Sequence, residues 1–386
     1  MLVRGRALTA CAAAALAAAV GGCTTAASTT SVKGGTLSIY LSLPPGTLSP
    51  EQQDVVSAER LAFQQAPGGQ KVGKFTVKLI PFGGLKLSDN ARQAIGDGST
   101  IAYLGELAPG ASEQSLGITN AQDVLQVTPT DTAVEQTQHT PAVPNSPDRY
   151  YESLSGNGRT FARVVPTTAL EAKALVAQMQ ALGVRRLYIR TDGTPYGAAL
   201  AHAVRSSAAS SITPVSSSSG ADGVMYAGGA TADAVATFNQ AAAGNPAAKL
   251  FAPSALAENS FAAALSPAAR RAAYISSPGF GPGNPVPPQG QQFLSAFKAA
   301  YRHAPAPQAI FGYEAMSAVM SVLHSAGSSV DNRNTVVKDF FAIRNRPSVL
   351  GTYSINQNGD TSIAPFLISR VKGGVLVPYK AVQEQG

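Results

Sequence analysis

The chain has 386 residues, of which 45% are hydrophobic and 13% charged, with a formal net charge of +7 at pH 7. A chain of this length fits two domains of ordinary size, each large enough to bury its own core. Its basic residues are scattered, without a run of five or more Lys or Arg, so the composition argues against nucleic-acid binding.

The first 22 residues have the layout of a secretory signal. Arg4 and Arg6 precede an apolar stretch that is shorter than the ~20 residues of a membrane-spanning helix. Small residues then lead to Cys23, a pattern that resembles the bacterial lipobox, in which this cysteine becomes the lipidated first residue. With Cys11 removed and Cys23 acylated, no disulfide forms. We expect a signal peptide over 1–22, a flexible tether over 23–35, and a lipid anchor on the extracytoplasmic face of the cell membrane, in a periplasm or cell-wall space.

Strand-like and helical patterns alternate from Thr36 onward. Buried strands are predicted at 36–41, 75–82, 101–104 and 124–127, and helices over 50–66, 88–96 and 110–121. Strands and helices in this order form crossover units and a parallel sheet. The polar residues 131–158 interrupt the alternation and predict a loop or crossing segment.

The alternation resumes at Phe161 and predicts a second parallel sheet, followed by three helices and terminal strands that turn at Asn358-Gly359 and Gly373-Gly374. The predicted fold class is α/β, with two doubly wound parallel-sheet lobes joined by crossing segments. Lobe 1 is assigned residues 36–152 plus about 280–346, and lobe 2 residues 153–279 plus about 347–386.

Several short segments, taken in order, resemble the type I periplasmic-binding proteins of the branched-chain amino-acid (leucine/isoleucine/valine)-binding family. They are Gly105–Gly110, Phe161–Pro166, Asp192–Gly197, Phe311–Ala315, Gly351–Ile355 and Asn358–Asp360. The resemblance covers about residues 36–380. It implies a small-molecule ligand clamped between two lobes that three strands join, and delivery of that ligand to ABC permease subunits. We expect a monomer.

The resemblance carries candidate ligand-binding residues onto lobe 1. In the family, the turn that begins at Gly105 supplies hydroxyls and backbone N–H groups to a ligand carboxylate. Here the hydroxyl positions fall on Ala108 and on a proline, so the backbone N–H groups of Gly110 and Ala111 remain as donors. The next family contact falls on residues 128–132, where Thr130 and Thr132 offer hydroxyls.

In lobe 2 the family positions fall on Tyr196, Ala230 and Ser254. Tyr196 stands where the family stacks on or hydrogen-bonds the ligand, and Ala230 stands where a tyrosine is common. Family members that bind α-amino acids tend to have an acid at the position of Ser254, which pairs with the ligand ammonium. Because a buried ammonium without a counter-charge is costly, the sequence argues against an ordinary branched-chain amino acid as the ligand.

Catalytic and metal-binding motifs are missing from the sequence. The four histidines are dispersed, and no His-x-x-x-His, G-x-S-x-G, G-x-G-x-x-G or Walker A pattern occurs where it would have the required context. We therefore expect neither an enzyme nor a metal or cofactor. Two hypotheses remain: a lipid-anchored receptor of an ABC importer that binds a small polar solute, amino-acid-like or another small organic molecule, and a lipoprotein of the same fold that regulates or contacts envelope machinery without a transport ligand.

Overall fold

A computed structural model describes residues 31–151 and 158–383. The predicted signal peptide and Cys23 lie outside the described residues. Residue 31 already forms a bridge with Asn332, and the backbone N–H of Val32 donates to the carbonyl oxygen of Asp331 at 2.7 Å. Val32 is buried in the core of lobe 1, so the folded lobe begins before residue 35, the predicted end of the tether.

The first pass of the chain builds the sheet of lobe 1. Its elements are β1 (Thr36–Ser42), α1 (Pro50–Gln64), β2 (Lys71–Val72), β3 (Phe75–Phe82), α2 (Leu87–Gly96), β4 (Thr100–Leu104), α3 (Leu116–Asn120), β5 (Leu125–Thr128) and β6 (Phe161–Arg163). The strand order is β2-β3-β1-β4-β5-β6, and all neighbouring pairs are parallel except β2 with β3.

The second pass builds most of lobe 2. Its elements are α4 (Thr168–Ala181), β7 (Arg186–Thr191), α5 (Pro195–Ala208), β8 (Thr213–Pro214), β9 (Gly223–Ala227), α6 (Thr231–Gly244), β10 (Lys249–Ala252), α7 (Asn259–Ala264), α8 (Pro267–Ala272) and β11 (Ala273–Pro278). Strands β11, β10, β9, β7 and β8 are parallel neighbours in that order.

The chain then returns to each lobe once more. In lobe 1 it forms α9 (Pro288–Tyr301), α10 (Ala309–Ala326), α11 (Arg333–Phe341) and the antiparallel ribbon of β12 (Arg346–Ser348) and β13 (Gly351–Tyr353). In lobe 2 it adds the antiparallel strands β14 (Pro365–Lys372) and β15 (Val375–Gln383) beside β11. Two α/β lobes with largely parallel sheets confirm the predicted fold class.

The lobe boundaries differ from those that the sequence predicts. β6 pairs with β5, so the first crossing follows Arg163 rather than residue 152. The chain still belongs to lobe 1 beyond residue 347, because the core of that lobe buries Tyr353, Ile355 and Ile363. The last crossing therefore lies shortly before β14. Strand pairing and core packing decide these boundaries, and the chain crosses at about 164–167, 279–287 and 356–364.

Local sequence explains where the principal helices begin and how they pack. Ser49 and Gln52 form a capping box at the start of α1, and Thr194 caps α5 by accepting from the N–H of Gly197. Helix α10 packs on α1 at Gly312, where a Cβ atom would lie 2.6 Å from the carbonyl oxygen of Val55. This close approach explains the glycine and holds α10 against lobe 1. No helix in the part of the chain that the structure describes is both long and apolar enough to cross a membrane.

Candidate ligand site between the lobes

Lobe 1 and lobe 2 touch directly along a surface that we call the interlobe seam, formed by Gly110, Ala133 and Val134 of lobe 1 and by Tyr196 and Ala199 of lobe 2. Gly110 has φ +83°, and a Cβ atom on it would lie 3.0 Å from the Cβ atom of Tyr196. Ala133 shares an apolar cluster with Tyr196, and Val134 shares one with Ala199. The polar loop between β5 and β6 therefore packs on the first half of α5.

A carboxylate of the chain itself lies behind the lobe 1 side of the seam. Asp131 Oδ1 accepts from the backbone N–H groups of Gly110 at 2.7 Å and Ala133 at 3.0 Å. Its Oδ2 accepts from the N–H of Ser112 at 2.8 Å and from Nε2 of Gln136 at 3.0 Å. The Asp131 side chain is fully buried, so these four donors supply its solvation.

The loop that carries Asp131 is held in place by Arg163 at the end of β6. The guanidinium of Arg163 donates to the carbonyl oxygens of Asp131 at 2.9 Å and Ala133 at 2.8 Å, and its Nε lies 3.0 Å from Oδ1 of Asp360. Thr137 donates to the same Asp360 oxygen at 2.8 Å. A buried arginine that is paired and hydrogen-bonded in this way fixes the loop where the chain first and last crosses between the lobes.

A second buried carboxylate lies on the lobe 2 side. Glu171, in the first turn of α4, accepts from the backbone N–H of Ser254 at 2.6 Å, from the Ser254 hydroxyl at 3.0 Å and from the Ser276 hydroxyl at 2.5 Å. Burial raises the pKa of Glu171 to about 7, and these hydrogen bonds oppose the rise. The fold therefore brings an acid to Ser254 from a different element.

Two further polar groups at or near the seam are buried without a hydrogen-bond partner among the described residues. They are the hydroxyl of Thr130 and Oε2 of Glu135. The Tyr196 hydroxyl is also buried, and it lies beside Glu171 and Ser254 without a well-formed hydrogen bond to either. Burial, followed by the charge of Glu171, raises the pKa of Tyr196 well above its usual value. Burial also raises the pKa of Glu135 to about 8, and the nearby charge of Asp131 adds to the rise. Unpartnered buried groups are costly, so they mark this region as one that a bound molecule could satisfy.

The structure brings only some of the predicted site residues to the seam. Gly110, Thr130, Tyr196 and Ser254 lie at or beside the seam, whereas Ala230 is exposed at the start of α6. The expected free donors on lobe 1 are not free. The N–H of Gly110 is bonded to Asp131, and the N–H of Ala111 donates to the carbonyl oxygen of Ala108.

Thr132 is also engaged within the protein. Its hydroxyl lies 3.2 Å from that of Thr168, and its carbonyl oxygen accepts from both the N–H and the hydroxyl of Thr168. Asp131, Glu135 and Glu171 were not among the sequence candidates. For Glu171 a signal exists, because it precedes Leu175 and Met179 by four and eight positions and so lies on the buried face of α4.

A cavity of about 780 Å³ lies on the crossing segments rather than at the seam. Thr167 and Lys173 line it from one side, Arg344 and Asn356 from the other, and none of the predicted ligand residues contributes to its wall. Among the residues that the structure describes, no group of three or more His, Cys, Asp or Glu side chains has the arrangement of a metal site.

Comparison with known proteins agrees with this architecture. Residues 210–375 match the family model described as "Periplasmic binding protein". No curated protein matches the chain.

Solved structures match nearly the whole chain. The leucine-binding protein LivK from Thermotoga maritima has a TM-score of 0.74 at 19% identity, covering 90% of this chain and 99% of its own. LivJ from Streptococcus pneumoniae, in complex with isoleucine, has a TM-score of 0.69 at 14% identity over 90% and 100%. A solute-binding protein of an ABC transporter from R. palustris, in complex with benzoate, has a TM-score of 0.66 at 17% identity over 91% and 98%.

These likenesses show that the chain has the type I periplasmic-binding-protein fold. They confirm the resemblance on which the site residues were chosen. At such low sequence identity they show the fold of this chain and do not identify its ligand.

Proposed function

We propose that this protein is an extracytoplasmic solute-binding receptor of an ABC importer, anchored to the membrane by a lipid on Cys23. The observation that carries the proposal is the interlobe seam. There, two lobes joined by three crossing segments bury polar groups from both sides, the unpartnered hydroxyl of Thr130 from lobe 1 and the hydroxyl of Tyr196, beside Glu171, from lobe 2. The solute-binding proteins of ABC transporters with the same fold support it.

The mechanism that follows is closure of the lobes around a small molecule. A ligand that contacts Thr130 and Tyr196 at the same time gains contacts in the closed state that the open state cannot offer. The ligand therefore stabilises the closed state by its differential affinity, and the crossing segments act as the hinge. A permease that recognises the closed form would then receive only the loaded protein.

The charge at the seam bears on the kind of solute. The absence of an acid at the position of Ser254 argues against an ordinary branched-chain amino acid as ligand, but Glu171 supplies a carboxylate there at 2.6 Å from the Ser254 nitrogen. A ligand ammonium near this group would favour its ionised form and lower its pKa. A cationic group on the solute is therefore compatible with lobe 2.

A second candidate function is that of a lipoprotein with this fold that regulates or contacts envelope machinery without a transport ligand. One observation favours it. The N–H donors of Gly110 and Ser112 are already occupied by Asp131. A protein that has lost its ligand could close its lobes in this way.

Native mass spectrometry of the purified mature protein tests the receptor function. A co-purified small molecule, or a solute that raises the melting temperature at micromolar concentration, supports the receptor. Absence of any small-molecule response, together with crosslinking in cells to an envelope protein outside the importer, supports the second candidate. Replacement of Cys23 by Ser tests the anchor separately, because it should release the protein from the membrane fraction.

A further inference from the structure

Asp131 is held as a bound ligand would be held. Each of its two carboxylate oxygens accepts two N–H donors, at distances between 2.7 and 3.0 Å, and the side chain is completely buried. Among the residues that the structure describes, no positively charged side chain bonds this carboxylate, and the Arg163 contact is to the Asp131 carbonyl oxygen. Four N–H donors therefore define a complete binding site for one carboxylate.

Two of the four donors come from a different part of the chain. The N–H of Ala133, two residues on, belongs to an ordinary local turn of the kind that aspartate often forms. Gly110 and Ser112, however, lie 21 and 19 residues before Asp131, in the segment that follows β4. Turn formation alone does not explain these two contacts, because the carboxylate has been brought to donors that another loop presents.

The donor set lies directly behind the seam. Gly110, which donates to Asp131, is the residue whose Cβ position is 3.0 Å from the Cβ of Tyr196. The N–H donors on this side of lobe 1 are therefore already bonded to Asp131 and are not available to a solute between the lobes. The surrounding acids oppose a second anion, since Glu135 and Glu113 both lie close enough for the charge of Asp131 to raise their pKa, after burial as the larger cause.

We propose that Asp131 is a built-in carboxylate that fills the anion-binding donors of lobe 1, so that the solute bound between the lobes carries no carboxylate at this position. The statement about the solute rests on the proposed receptor function, whereas the four donors around Asp131 are observed independently of it. Removal of the Asp131 carboxylate should vacate a site that a free carboxylate, such as formate or acetate, can occupy.

The experiment compares wild type with Asp131→Ala in thermal unfolding and calorimetry, using sodium formate and sodium acetate against sodium chloride at equal ionic strength. The variant should melt several degrees higher in formate than in chloride and bind formate at least tenfold more tightly than wild type. Asp54→Ala is the matched control. It also removes a buried carboxylate, but one whose contacts are a single backbone N–H, that of Ala306, and the partly exposed ring of His303 at 3.5 Å, so formate should not distinguish it from wild type.

A folded Asp131→Ala protein that does not respond to formate or acetate overturns the proposal. If this variant does not fold in chloride, refolding in formate decides the matter. Recovery of the folded state supports the proposal. Failure to recover, while Asp131→Asn folds with wild-type stability, contradicts it, because the amide cannot accept from all four donors.

A panel of amines, neutral solutes and carboxylates, including L-leucine and benzoate, then separates this inference from the receptor function. If solutes without a carboxylate stabilise the wild-type protein, this result supports both the inference on Asp131 and the receptor function. Micromolar binding of a carboxylate to wild type overturns the inference and leaves the receptor function standing. A formate response of Asp131→Ala without any wild-type ligand supports the inference and counts against the receptor.

Discussion

Both lobes bury a carboxylate at the interlobe seam, but they hold it in different ways. In lobe 1, Asp131 accepts from three backbone N–H groups, whose positions the backbone fixes, and from the side-chain amide of Gln136. In lobe 2, Glu171 accepts from one N–H and two serine hydroxyls, and burial raises its pKa to about 7. The two carboxylates therefore differ in how rigidly their donors are held.

This difference suggests a division of roles. Lobe 1 presents Asp131 with every carboxylate oxygen bonded, on a loop that Arg163 fixes to the crossing segments, together with Glu135, whose pKa burial raises to about 8. Lobe 2 presents Tyr196 and a carboxylate whose charge can change when a ligand arrives. The predictions that follow test whether lobe 1 is structural at the seam and lobe 2 responsive.

The largest effect should come from Asp131→Ala. The substitution leaves four buried donors without an acceptor, so we expect a loss of about 3–5 kcal/mol in the free energy of unfolding, measured by urea denaturation. Asp148→Ala is the control, because Asp148 is 83% exposed in its pair with Arg159 and should cost less than about 1 kcal/mol. Equal losses in the two variants would show that the lobe 1 site does not stabilise the fold.

The pH dependence of stability should come next in size. Glu135 and Glu171 have folded pKa values of about 8 and about 7, whereas an ordinary glutamate has a value of 4.5. Between these values the folded state holds more protons than the unfolded state. The free energy of unfolding therefore falls as pH rises from about 5 to about 8.

Glu135→Gln and Glu171→Gln should each flatten this decline, by about 1–3 kcal/mol between the two ends of the pH range. Urea denaturation at pH 5, 6.5 and 8 measures the effect, and Asp148→Asn serves as the exposed control. Unchanged pH profiles in both variants would mean that the two carboxyl groups ionise normally in the folded protein.

Tyr196→Phe should separate ligand binding from folding. The buried Tyr196 hydroxyl lies beside Glu171 and Ser254 without a well-formed hydrogen bond to either, so its removal should change stability by less than about 1 kcal/mol. Affinity for a solute identified by mass spectrometry should fall about tenfold, which corresponds to one lost hydrogen bond. Tyr196→Ala is less informative, since the buried ring also packs in the core of lobe 2. Unchanged affinity in Tyr196→Phe would remove this hydroxyl from the site.

The smallest effect should come from a contact between the lobes at the surface. Glu51, in the first turn of α1, accepts from the N–H of Asn259 in α7 at 3.1 Å. Glu51→Ala should change stability by less than about 1 kcal/mol, because the contact is exposed to solvent. It should slightly favour the open arrangement, which small-angle scattering can detect as a larger radius of gyration. A large loss of stability would show that this contact, rather than the seam, holds the lobes together.

Much of the fold could be predicted from local sequence, because burial imposes a period on each element. The apolar run at Phe75–Phe82 coincides with β3, and the patterns over 50–66 and 88–96 place α1 and α2 to within about two residues. The predicted helix over 110–121 is instead a 3₁₀ turn at Ala111–Gln114 followed by α3. Its start is displaced because Gly110 adopts a left-handed conformation, which brings its N–H to Asp131.

The sequence by itself determined the alternation of strands and helices, and with it two parallel sheets, because each element must bury one face and that requirement is local. Only the tertiary structure decided which acids meet which donors. Asp131 and Glu171 bond groups 19 to 105 residues away, and no local period records such distances. The loop after β5 and the first turn of α4 thereby place one carboxylate on each side of the seam. Their electrostatics follow from burial and from the number of N–H groups that packing places around each carboxylate.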